Sequence, residues 1–79
     1  MGKRIKMIWD FRGENGALTA KHHEKHLAEY AESENLEETI TGTQSYSPTH
    51  HAAFMVVNEG MVASLREILK PHRGQIYEE

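Results

Sequence analysis

Residues Lys3–Gly13 read KRIKMIWDFRG. Ile5, Met7, Trp9 and Phe11 alternate with Arg4, Lys6, Ile8 and Asp10, the two-residue period of a β-strand. The stretch holds the one tryptophan and one of the two phenylalanines. It therefore carries a large share of the apolar surface, and we read it as a central strand on which the rest of the chain packs or pairs.

Working outward, Gly13-Glu14-Asn15-Gly16 is a turn, with Asn15 or Thr19 placed to cap a helix. From about Ala17 to Ser33, the positions Ala20, His23, Leu27, Tyr30 and Ala31 recur on one helical stripe. Thr39–Tyr46 is threonine-rich and polar at alternate positions, as suits an edge strand with one wet face. Ser47-Pro48-Thr49 turns the chain, since Pro48 has no donor for a ladder. His50–Val57 is apolar on both parities from Ala52 onward, which reads as a strand covered on both faces. Asn58-Glu59-Gly60 opens a second helix, Met61–Leu69, with Val62, Leu65, Ile68 and Leu69 on its stripe. Pro71 and Gly74 end that helix, and Gln75–Glu78 forms a short last strand.

Seventy-nine residues predict a single domain, 1–79. A chain of this size buries roughly 60% of its unfolded surface, so association is a common supplement. The absence of cysteine removes disulfides, thiolate metal sites and thiol nucleophiles, and suits a reducing interior. No apolar run approaches the roughly 20 residues of a membrane span, and the first residues lack the apolar core of a signal peptide. The expectation is a small bacterial-type cytoplasmic protein with no membrane partner. A formal charge of −3 argues against nucleic acid, whose binders carry a basic footprint. The six histidines (His22, His23, His26, His50, His51 and His72) stand out. Protonating all six would move the charge from −3 to −3 + 6 = +3, so the surface is sensitive to mild acid.

The element order β-α-β-β-α-β in so short a chain matches the split βαβ plan. Right-handed crossovers then place the first and third strands in the middle of the sheet. This order and length resemble the small ferredoxin-like α+β proteins that pair sheet against sheet as dimers. The expected fold is a ferredoxin-like sandwich: a four-stranded antiparallel sheet of order 4-1-3-2 with two helices on one face. The resemblance implies a homodimer through the open sheet face, and an activity among those of such proteins. Some are cofactor-less enzymes of the dimeric α/β-barrel kind; others bind small ligands.

In that topology one edge of the sheet collects Asp10, Arg12, His22, His23, His50, His51, His72 and Arg73, with His26 one turn further along the first helix. The opposite end gathers Glu32, Glu34, Glu37, Glu38, Glu59, Glu78 and Glu79, the last two beside Lys3 and Arg4. Three chemistries fit the histidine-bearing edge. His22 and His26, four apart on a helix, have the spacing of two imidazoles sharing a divalent metal such as zinc, with His72 or Asp10 as third ligand. Arg12, Arg73 and the N–H groups opening the first helix, with His22, His23 and His72 near them, suit a small anionic ligand. Asp10 orienting His23 or His72 would serve proton transfer. No nucleophile elbow or paired carboxylates support hydrolysis.

Each residue has a plainer reading beside the functional one. His23 sits about 40° from Leu27 at 100° per residue, as a partly buried, hydrogen-bonded side chain would. His22, His26, His50 and His51 read as solvated surface groups, and His72 as a cap on the last helical carbonyls. Asp10, between Trp9 and Phe11, needs a partner whatever its role. Three classes follow: a binder of a small anion or metal, a cofactor-less enzyme using Asp/His proton transfer, and a structural homo-oligomeric subunit without a site.

Overall fold

The computed structural model describes residues 3–36 and 39–77. The elements run β1 (Arg4–Arg12), α1 (Gly16–Ser33), β2 (Ile40–Ser47), β3 (His50–Asn58), a 3-10 turn (Glu59–Met61), α2 (Val62–Leu69) and β4 (Arg73–Tyr77). The strands form one sheet in the order β2-β3-β1-β4, antiparallel at every pairing. In β1 the alternation expected from KRIKMIWDFRG is realised. Met7 and Trp9 join Ala53, Met55 and Val57 of β3, Leu27 and Ala31 of α1 and Leu65 of α2 in the core between sheet and helices. The Trp9 indole N–H donates to the Leu69 carbonyl at 2.9 Å, which satisfies a buried donor and a helix-end acceptor together.

The α+β class stands, with four antiparallel strands in the order β2-β3-β1-β4, but the expected ferredoxin-like sandwich fits only loosely, because its two helices are unequal. The helical layer is the physical reason. The 18 residues of α1 lie over β3, β2 and β1. The 8 residues of α2 open on a 3-10 turn and bury one side chain, Leu65. Lys70 takes the left-handed conformation, its N–H bonding the Arg66 carbonyl, and Pro71 cannot continue the helix. The flank of β4 beside α2 is left uncovered.

Local details also differ from expectation. Neither Asn15 nor Thr19 caps α1 with its side chain. The backbone closes the turn instead, with Gly13 at φ 103 and the Gly16 N–H on the Gly13 carbonyl at 3.1 Å. Thr19 lies inside the helix and its hydroxyl donates to the Asn15 carbonyl. At the other end Asn35, at φ 53, stops α1, and the Leu36 N–H reaches back to the Ala31 carbonyl at 2.9 Å, the reversal by which helices commonly end. Strand β4 begins at Arg73, and Gly74 pairs with Met7 within it instead of ending α2.

The second sheet face carries no helix, yet it exposes less than the sequence suggests. Ile8 and Val56 lie on it at 0% exposure and Ala52 at 1%. Long neighbours on the same face shield them: the Phe54 ring lies over Gly42, and the Lys6 ammonium sits 4.4 Å from the Phe54 ring centre. The acidic residues Glu37, Glu38, Glu78 and Glu79 lie outside the described residues, and so does their expected pairing with Lys3 and Arg4.

Candidate functional site

Strand parity decides what Asp10 meets. Trp9 and Phe11 point toward the helices, so Asp10 points to the open face, beside Ala52 of β3 in register. His50 stands two residues along β3 on the same face, and Arg73 starts β4 opposite Ile8. The three side chains converge. The Asp10 carboxylate meets His50 Nε2 at 2.8 Å, Arg73 Nε at 3.0 Å and the second Arg73 nitrogen at 3.1 Å. The Asp10 side chain is 18% exposed, His50 19% and Arg73 45%. Hydrogen bonding from Arg73 holds the Asp10 carboxyl below its ordinary pKa against the opposing effect of burial, with His50 adding to it; the same pairing raises Arg73.

An ionised carboxylate only accepts hydrogen bonds, so His50 Nε2 carries the proton in this contact and Nδ1 of the neutral ring is bare. The bulge between Ser45 and Ser47 places Tyr46 against this pair. Its ring lies 4.7 Å from the His50 ring, with the Arg73 guanidinium 5.4 Å over it. The Tyr46 hydroxyl reaches Gln44 at 3.4 Å, and Lys6 holds the same Gln44 oxygen at 2.9 Å. Arg12 stands opposite His50 in register, about 7 Å beyond Asp10 at the strand rise. It is exposed and makes no ion pair with any described residue.

The other expected site residues are dispersed. His72 contacts the Asp10 backbone, not its carboxylate: the Asp10 N–H donates to His72 Nδ1 at 2.8 Å, and the His72 N–H continues the ladder onto the Ile8 carbonyl at 2.9 Å. It therefore extends the β1–β4 pairing and does not cap α2. His23 is on the helix side of the sheet, its ring 5.0 Å from Trp9 and 5.5 Å from Phe11. Burial, then the nearby His26 and His72, lower its pKa, and its buried Nε2 has no hydrogen-bond partner among the described residues. It thus reads as a packed neutral imidazole, and the sheet separates it from the Asp10 carboxylate. His22 is exposed on α1, and His26 faces Glu29 at 3.6 Å. His51 holds the Pro48 carbonyl. Among the described residues no three His, Asp or Glu side chains gather as a metal site requires, so the proposed sharing of a metal by His22, His26 and a third ligand gains no support from geometry. The start of α1 packs against the Phe11 carbonyl and the His51 ring, away from the face that carries Arg12 and Arg73.

Sequence reasoning passed over His50 and Tyr46, reading the hairpin as surface. The missing signal was parity combined with register: once Asp10 shares a face with Ile8 and Lys6, its partners must come from the same face of β3 and β4. Fold and site together define a small α+β protein with a carboxylate–imidazole–guanidinium cluster on an open antiparallel sheet. Comparison with known protein families, curated proteins and solved structures finds no match, so the resemblance to ferredoxin-like dimers gains nothing from known relatives.

Proposed function

We propose that the open-face cluster binds a small anionic molecule. The observation that carries this reading is the surplus of cationic donors around one carboxylate. Asp10 uses two of the five Arg73 N–H donors and Tyr46 lies against the same guanidinium, which still leaves donors over, and Arg12 on the same face makes no ion pair with any described residue. Planar guanidinium groups suit carboxylates and phosphates, and the ordered Asp10–Arg73 pair reduces the entropy lost on binding. The test is affinity for malonate and for inorganic phosphate, read from side-chain N–H shifts of Arg12 and Arg73. Saturable binding is expected, with malonate tighter than acetate and weakened by added salt. Arg12→Gln should weaken it about tenfold without altering stability. Binding that is indifferent to Arg12→Gln contradicts the reading.

The Asp10–His50 contact favours a second reading in which the bound anion also exchanges a proton. With Nε2–H held by Asp10, His50 presents Nδ1 as a base. It would take a proton from carbon next to a carbonyl and return one from water, so the substrate is unchanged. Deuterium incorporation into oxaloacetate in heavy water tests it. Loss of exchange above the buffer rate in His50→Gln supports the reading, and equal rates with and without protein refute it.

A further inference from the structure

A concavity lies on the other side of the sheet, between α2 and β4. It encloses about 590 Å³, within the range of about 300–1,000 Å³ typical of small-molecule sites. Two features open it. The helix stops at Leu69, and Gly74, paired with Met7 between His72 and Ile76, contributes no side chain. Ile5 and Met7 form the floor, with Val62, Pro71 and Ile76 as apolar walls. Ile76 remains 57% exposed and adds apolar surface to the rim of the groove.

The polar groups of this groove are arranged by position. Glu59 closes the end where its N–H bonds the Lys3 carbonyl, and His72 stands at the end where its N–H bonds the Ile8 carbonyl. Arg66 lies between them on α2, with no ion pair to any described residue. His72 Nδ1 is occupied as an acceptor by the Asp10 N–H. The neutral ring therefore carries its proton on Nε2 and can only donate from there.

We propose that this groove binds a small amphipathic carboxylate, held by Arg66 and His72 with its apolar body over Ile5, Val62 and Ile76. Charge complementarity selects that occupant. Arg66 midway along the apolar trough and His72 at one end are donors without a described acceptor partner, and the acidic Glu59 at the other end turns a carboxylate toward His72. The groove lies across the sheet from the Asp10 carboxylate, and Arg73, which pairs with Asp10, stands at its rim.

Octanoate is the probe, titrated into the full chain and followed by amide shifts, with octanol and acetate as controls. Saturable shifts at Val62, Gly74, Gln75 and Ile76 are expected, with octanol and acetate each about tenfold weaker or worse, and Arg66→Gln about tenfold weaker for octanoate. A Cβ at Gly74 would meet Ile5 Cγ2 at 3.7 Å and the Lys6 carbonyl at 3.8 Å, ordinary contacts. Gly74→Val should therefore fold, fill the groove and abolish binding. The proposal is overturned if octanoate produces no saturable shift, if Gly74→Val or Arg66→Gln leaves binding unchanged, or if octanol binds as well as octanoate. It is also overturned if the β4 amides shift with protein concentration alone, which would assign the groove and free strand edge to a second copy.

Discussion

The Asp10 carboxylate draws side chains from β3 and β4 onto β1, and its ionisation measures how much that junction contributes. Folding lowers its pKa, so the folded state holds the charged form better than the unfolded chain does. Its contribution is present above the unfolded carboxylate value of about 3.9 and fades as pH falls through the lowered folded value. Because Arg73 is 45% exposed, water screens the pair. We expect Asp10→Asn to cost about 1–2 kcal/mol at neutral pH. In denaturant melts the gap between wild type and variant should hold from neutral pH to about pH 5 and close toward pH 2. A gap that widens on acidification would contradict the assignment.

At the scale of elements, two glycines set how closely neighbours approach, and they should respond differently to alanine. A Cβ on Gly16 would sit 2.9 Å from the Phe11 backbone carbonyl and 3.1 Å from the His51 ring. The backbone oxygen cannot step aside, so Gly16→Ala should lose about 1–3 kcal/mol despite alanine's helix preference of about 1 kcal/mol. On Gly42 the clash is with the tip of Phe54, at 2.7 Å, and that ring can swing. Gly42→Ala should cost under about 1 kcal/mol while displacing Lys6 from Phe54. Thermal melts of the two variants check the contrast. The alternation in KRIKMIWDFRG and the stripe through Ala20, Leu27 and Ala31 were legible because burial on one face imposes a period on the sequence. The early start of β4 was not, since Gly74 reads as a helix stop and only its pairing with Met7 shows otherwise. The convergence on Asp10 was half legible: Arg73 could be placed beside it from strand order, whereas His50 needed the β1–β3 register, which no local pattern encodes. His22 and His23 failed as partners because a sheet lies between them and the carboxylate.

For the whole molecule, the open face has two proposed uses that compete. A sheet-to-sheet homodimer, proposed from the sequence, has to rest on Ile40, Tyr46 and Phe54, because Ile8, Ala52 and Val56 are already covered. A stable interface takes about 800 Å² per partner from an accessible surface of 5416 Å², and on this face that area must include Lys6, Asp10, Arg12 and Arg73. Such an interface is polar, so pairing should be weak and dissociate on dilution through micromolar concentrations. Sedimentation showing a dimer that persists at nanomolar concentration would mean the cluster is an interface and closed to ligands. The central claim, that Asp10 organises a ligand-binding cluster, is tested most directly by histidine-ring nitrogen NMR of the full chain with and without malonate. The account predicts that His50 is protonated on Nε2 with Nδ1 bare, that this state is lost in Asp10→Asn, and that its signals shift with malonate while those of exposed His22 do not. A His50 ring indistinguishable from His22, unmoved by Asp10→Asn and by malonate, would contradict it.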